Sequence, residues 1–399
     1  MEHLISDRLK RVAESQTLVM TKMARELSQS GTRIINLSIG EPDFGTPEHI
    51  LKAAHKAIDD GFTHYPPVAG YPDLRQAISE KFKRENELDY APEQVVVSCG
   101  AKHSIMNVIM ATVNPGDEVI IPAPYWVSYP EMVKLAGGIP VYLRSSIETN
   151  YKFDTDELRR VLNRKSKVFL FSSPCNPSGS VFSEEELTEI AGILSQHPDI
   201  IVVSDEIYEN INYEESHYSI GRDPRLEGRV VTVNGVSKGF AMTGWRIGYI
   251  GAPLWLAKAC EKLQGQFTSG ANSIAQKASI EALNGTRKPS EKMTATFKKR
   301  KEFVMNALNQ MPGVNPNSSQ GAFYVFPDIS AYFGKSFGDY NIDNATDLCM
   351  YLLKEANVSL VTGAAFGNPE CLRISYAASM EDLEEAMSNI SEALARLNP

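Results

Sequence analysis

At 399 residues the chain is long for one core and predicts about two domains, or one large domain with a smaller one appended. A hydrophobic content of 43%, a charged content of 22% and a net charge of −9 describe a globular protein whose main partner is not nucleic acid. No apolar run approaches the roughly 18 residues that a membrane span needs. The charged start "MEHLISDRLKRVAESQ" lacks the apolar centre and cleavage site of a signal peptide. Cys99, Cys175, Cys260, Cys349 and Cys371 show neither CxxC metal spacing nor a disulfide framework. A cytoplasmic protein with no metal site and no membrane partner is the economical expectation.

Strand and helix signals alternate along the middle of the chain. "QVVVSCG" reads as a strand running into the helical pattern "AKHSIMNVIMATV", and "DEVIIPAP" as a second strand before the helix "PEMVKLAGG". "IPVYLR", the helical "DELRRVLNRKS" and the strand "KVFLFSSP" follow. "SEEELTEIAGILSQH" opens with a Ser-x-x-Glu capping box, and "DIIVVSDE", "RVVTVNGVSK" and "WRIGYIGA" complete the series. Short apolar runs alternating with helices predict an α/β domain with a mixed, mostly parallel sheet and helices on both faces. Beyond residue 285 a long charged helix (290–311), "GAFYVFPDIS", a helix near 345–356, "VSLVTGAAFG", "CLRISYA" and a last helix predict a smaller α+β domain. The expected division is an N-terminal segment 1–46 joining the small domain, a large domain 47–288 and a small domain 289–399.

Polar and glycine-rich residues follow the strands repeatedly: "SCGAK", "PAPYW", "SSPCNPSG", "SDEIY" and "VSK". Ligands of open α/β sheets bind beyond the carboxyl ends of the strands, so these segments converge on one edge. Among them Lys238 stands between Ser237 and Gly239, ahead of Met, Trp, Ile and Tyr, where desolvation favours the nucleophilic amine. If its target is an aldehyde cofactor with a phosphate and a pyridine ring, the surrounding residues have the right types. Ala101 and Lys102 offer helix-start amides to the phosphate, Ser237 a hydroxyl and Arg246 a planar fork. Asp205 ends a buried strand and would keep a pyridine nitrogen protonated. Tyr208 and Asn176 could reach a ring hydroxyl, and Trp126 offers a flat face for stacking. Taken singly, Trp126 also reads as core packing, "SDEIYE" as a helix start and "SSPCNPSG" as a plain turn. Their ordered occurrence at successive strand ends favours the site.

The motifs "GEPDF" (40–44), "CGAKHS", "PYWVSYPEM", "SSPCNPSG", "VSDEIYE", "SKGFAMTGWRIGY" and "CLRISYA" together resemble the class I pyridoxal-phosphate aminotransferases, and most the bacterial aspartate aminotransferase branch. The resemblance spans essentially the whole chain and implies the aspartate aminotransferase-like fold, fold type I of the pyridoxal-phosphate enzymes. It implies that Lys238 is the Schiff-base lysine and proton shuttle and that Asp205 faces the pyridine nitrogen. Tyr208 and Asn176 would contact the ring hydroxyl and Trp126 would stack on the ring. Ser237, Arg246 and the amides of Ala101 and Lys102 would hold the phosphate. Arg373, with Gly40 beside it, matches the grip on the substrate α-carboxylate. Tyr65 matches a tyrosine that reaches the neighbouring subunit's phosphate, which implies a homodimer with shared sites. The N-terminal segment is expected to pack near the site, as in related aminotransferases. Cys175, Ser178 and Ala101 depart from the asparagine, threonine and glycine common in this branch. These changes keep size or polarity and remove no group with an assigned role.

The implied activity is ping-pong transfer of the amino group of aspartate to 2-oxoglutarate. In this branch the lysine at position 102 also helps to bind the distal carboxylate of the substrate. Relatives with that lysine can aminate prephenate as well, and some proteins of this fold are carbon–sulfur lyases; both alternatives stay open at this point.

Overall fold

The structure is a computed structural model, and it describes residues 4–29, 31–213 and 217–398. Of the expected N-terminal segment, residues 1–3 and 30 therefore lie outside the described residues. The apolar runs of the middle region form a seven-stranded sheet. Its order is Val95–Ser98, Gly248–Gly251, Val230–Gly235, Ile201–Asp205, Ser166–Ser172, Glu118–Pro122, Ile139–Leu143. All neighbours are parallel except Gly248–Gly251, which runs antiparallel to both strands beside it. The reversal has a local cause. The link 236–247 contains only a single helical turn, Thr243–Trp245, and a short return can join only antiparallel neighbours.

The sheet is covered on both faces, and alternate side chains show it. Val96, Val119, Ile121, Val168, Leu170 and Val203 pack on one face with Ile105, Val108 and Ile109 of the helix Ala101–Thr112 and Leu256 of the helix Leu254–Phe267. On the other face Ile120, Phe169, Phe171 and Val202 meet Leu187, Ile190 and Leu194 of the helix Glu184–Ser195, while Val95, Val97 and Tyr249 meet Leu74 and Ile78 of the helix Pro72–Lys81. The expected capping box opens Glu184–Ser195: Ser183 N donates to Glu186 at 2.7 Å and Glu186 N to Ser183 Oγ at 3.3 Å.

The helix Lys288–Asn309 leads to a second core with the helices Ala345–Glu355 and Met380–Ala395 and a three-stranded antiparallel sheet. Its strand order is Val361–Thr362, Leu372–Ser375, Tyr324–Val325. The N-terminal segment joins this part. Ile35–Asn36 pairs parallel with Val358–Ser359, and Met20, Ile35 and Leu37 share a cluster with Phe297, Leu348, Ile374 and Leu383.

Candidate active site

One cavity of about 280 Å³ lies at the carboxyl edge of the large sheet, where it meets the C-terminal core and the N-terminal segment. Gly40, Ala101, Lys102, Trp126, Asn176, Asp205, Tyr208, Ser237, Lys238, Arg246 and Arg373 all line it. Tyr65 does not line it and is 95% exposed.

Lys238 leaves the end of Val230–Gly235 and donates its ammonium to the Gly40 carbonyl. Desolvation lowers its proton affinity to about 8; Glu41 opposes this, while Arg373 and Arg246 add to it. Arg246 follows in the left-handed region at φ 57. Its Nη1 donates to Thr243 O at 2.7 Å, and the guanidinium covers Gly100 so closely that a Cβ there would collide with it. Gly100, at φ +88, caps the helix Ala101–Thr112, and a Cβ on Gly248 would strike the Ala101 amide. Ala101 and Lys102 are the first residues of that helix, so their N–H groups have no carbonyl within it.

Asp205 ends the fully buried strand Ile201–Asp205. Tyr129 Oη donates to its Oδ2 at 2.6 Å and Ile207 N to its Oδ1 at 3.3 Å. Burial raises its proton affinity to about 6, opposed by those two donors and reinforced by Glu206. Among the described residues no cation comes within ion-pair distance of it. Arg373, on Leu372–Ser375, is the complementary case: buried and, among the described residues, without a carboxylate and with Nε lacking any hydrogen-bond partner. Its Nη1 donates to Asn176 Oδ1 at 3.0 Å and Nη2 to Ser38 O at 2.6 Å. Asn176 is presented by a turn closed by Gly179 N donating to Cys175 O at 2.8 Å. Lys102 Nζ lies 4.9 Å from the Trp126 ring, and burial together with Arg246 lowers its proton affinity.

Some lining residues escaped the reading of the sequence. Tyr129 stands three positions after Trp126, a spacing that brings both rings to one side of a helix start. That signal was available in "PYWVSYPEM". Tyr324, whose hydroxyl lies 2.8 Å from that of Tyr208, had none, because it arrives from the other core. Ser15, Thr17 and Leu18 bring the N-terminal segment to the same cavity.

The profile of the family described as "Aminotransferase class I and II" matches residues 32–390. A Petunia hybrida protein named bifunctional aspartate aminotransferase and glutamate/aspartate-prephenate aminotransferase is 46% identical over 99% of this chain and 84% of its own length. The solved aspartate aminotransferase of Rhizobium meliloti superposes with a TM-score of 0.95 at 39% identity, covering 99% of both chains. That of Thermus thermophilus, solved with maleate, superposes with a TM-score of 0.92 at 38% identity over 98% of this chain and 99% of that one.

Pyridoxal phosphate fits the residues present. A buried carboxylate without a cation suits a ring nitrogen, the glycine-cleared helix start beside Arg246 suits a phosphate, and a lysine held near neutrality suits an aldehyde. Fold, cavity and whole-length similarity converge: the chain belongs to the class I and II aminotransferases and is a pyridoxal-phosphate-dependent enzyme.

Proposed function

We propose that the chain transfers the amino group of L-aspartate to 2-oxoglutarate, giving oxaloacetate and L-glutamate by a ping-pong mechanism. The observation that carries this substrate choice is a pair of cations, Arg373 and Lys102, facing the same cavity as Lys238. A dicarboxylate uses both; a monocarboxylate leaves one without a counter-ion.

Arg373 holds the α-carboxylate with its planar fork, beside Gly40, and so orients the Cα–H bond toward Lys238. When bound, pyridoxal phosphate supplies an aldehyde for the amine and an electron sink for the broken Cα–H bond. Lys238 takes that proton and returns it as an acid. With the cofactor bound, Asp205 would hold a proton at the ring nitrogen, Tyr208 and Asn176 would meet the ring hydroxyl, and Trp126 would cover the ring. Ser237, Arg246 and the Ala101 and Lys102 amides would hold the phosphate. The division into segments 1–46, 47–288 and 289–399 is supported by the cores described above. Tyr65, exposed and outside the lining of its own cavity, is assigned to the phosphate of a second copy in a cytoplasmic homodimer. No described helix is long and apolar enough to cross a membrane.

Prephenate, which also carries two carboxylates, is a second acceptor consistent with the same pair of cations. Comparing specific activities for aspartate, alanine, tyrosine and prephenate tests the assignment. A strong preference for alanine overturns it, and pyruvate released from cystathionine would point to the lyase alternative.

A further inference from the structure

Tyr324 lies in the antiparallel ladder of the C-terminal core, opposite Ser375. Arg373, two residues from Ser375 on the same strand, is therefore its diagonal neighbour on one face. The fully buried Tyr324 ring lies 4.5 Å from the Arg373 guanidinium, which has no carboxylate to balance its charge among the described residues. The Tyr324 hydroxyl lies 2.8 Å from that of Tyr208. It also borders Gly40, where an added Cβ would come within 2.7 Å of it. One side chain thus touches three segments of the cavity wall.

The direction of the hydroxyl pair follows from counting protons. Burial keeps both phenols neutral, so each has one proton to donate. If Tyr208 donates to the ring oxygen of the cofactor, as the function proposed above requires, the hydrogen bond between the two tyrosines needs Tyr324 as donor. A donor behind Tyr208 polarises it and strengthens its own donation.

We infer that Tyr324 is a positioning residue for transamination: its hydroxyl donates to Tyr208, and its ring face holds Arg373 in place. This inference rests on the proposed function, and the two parts of the side chain are tested separately on the loaded enzyme. Tyr324→Phe removes the donor and keeps the ring. The ring oxygen becomes more basic, and the visible band titrates at a pH higher by about half a unit. Maleate, a non-reacting dicarboxylate, binds this variant within about twofold of the wild type. Tyr324→Leu removes the ring as well and weakens maleate about tenfold, raising KM for aspartate more than it lowers kcat. An unmoved titration in Tyr324→Phe, or unweakened maleate binding in Tyr324→Leu, overturns the inference while a coloured, active wild type leaves the proposed function standing. A wild type that gains no visible band with pyridoxal phosphate overturns both.

Discussion

Tyr129 Oη donates to Asp205 Oδ2 at 2.6 Å, and among the described residues that carboxylate has no cation within ion-pair distance. The site thus holds a buried charge in readiness for a positive ring, at the expense of the cofactor-free fold. Asp205 titrates at about 6 rather than 3.8, so between those values the folded protein binds more protons there than the unfolded chain. Stability therefore falls as pH rises through that window and stays lower above it. Cofactor-free Asp205→Asn should be more stable than the wild type at pH 8 by about 3 kcal/mol, with the gap shrinking toward pH 4. Urea titrations at the two pH values measure this, and equal stabilities at pH 8 would contradict it.

Lys238 has the opposite sign. Its amine titrates at about 8 rather than 10.5, so the folded protein binds fewer protons than the unfolded chain between those values. The burial penalty is present in full below pH 8 and is relieved as pH rises toward 10.5. Acylation of the cofactor-free protein at Lys238 should accelerate with a midpoint near pH 8, read by peptide mass mapping. Lys238→Ala should abolish transamination, and near-normal turnover by that variant would refute its role.

The two substrate-facing cations should separate in substrate comparisons. Lys102→Ser should lower kcat/KM for aspartate about tenfold or more and leave that for alanine nearly unchanged. Arg373→Lys loses the bidentate fork and should lower kcat/KM for both by about a hundredfold. Parallel losses in Lys102→Ser would remove its part in selectivity.

Behind the site, Lys81 meets Glu209, and Asn86 Nδ2 donates to Glu209 at 2.8 Å and to Glu206 at 3.1 Å. His217 closes the network on Glu206 at 2.8 Å. Lys81→Met leaves Glu209 buried without its cation, and should lower unfolding free energy by about 3 to 5 kcal/mol. A urea midpoint equal to the wild type's would show that the network carries no net charge pairing.

Tyr65 is 95% exposed in a single chain, a costly place for a tyrosine with no further contact. Sedimentation should give a dimer, and Tyr65→Phe should weaken pyridoxal phosphate binding about tenfold by equilibrium dialysis. A monomer that binds the cofactor normally would dismiss the shared site.

The alternation of apolar runs and helices was legible because strand and helix periods are local properties. "VVVS", "IVVSD" and "VVTVNG" each bury every residue, as runs covered on both faces must. The capping box at Ser183 was legible for the same reason, as were the polar segments beyond the strand ends. Ordering those motifs along one edge of a parallel sheet requires only that each strand point the same way.

Other features depended on contacts between distant parts of the chain. Tyr324 reaches Tyr208 across a separation of 116 residues, and Arg373 reaches Asn176 across 197. No local pattern records such a pairing. The sequence by itself determined the chemistry available: a desolvated lysine, a strand-end carboxylate, a helix start and two arginines. Only the tertiary structure decided which phenols support them, Tyr129 against Asp205 and Tyr324 against Tyr208. Tyr324 reaches Tyr208 from the C-terminal core, and hydrophobic periodicity carries no information about how two cores meet.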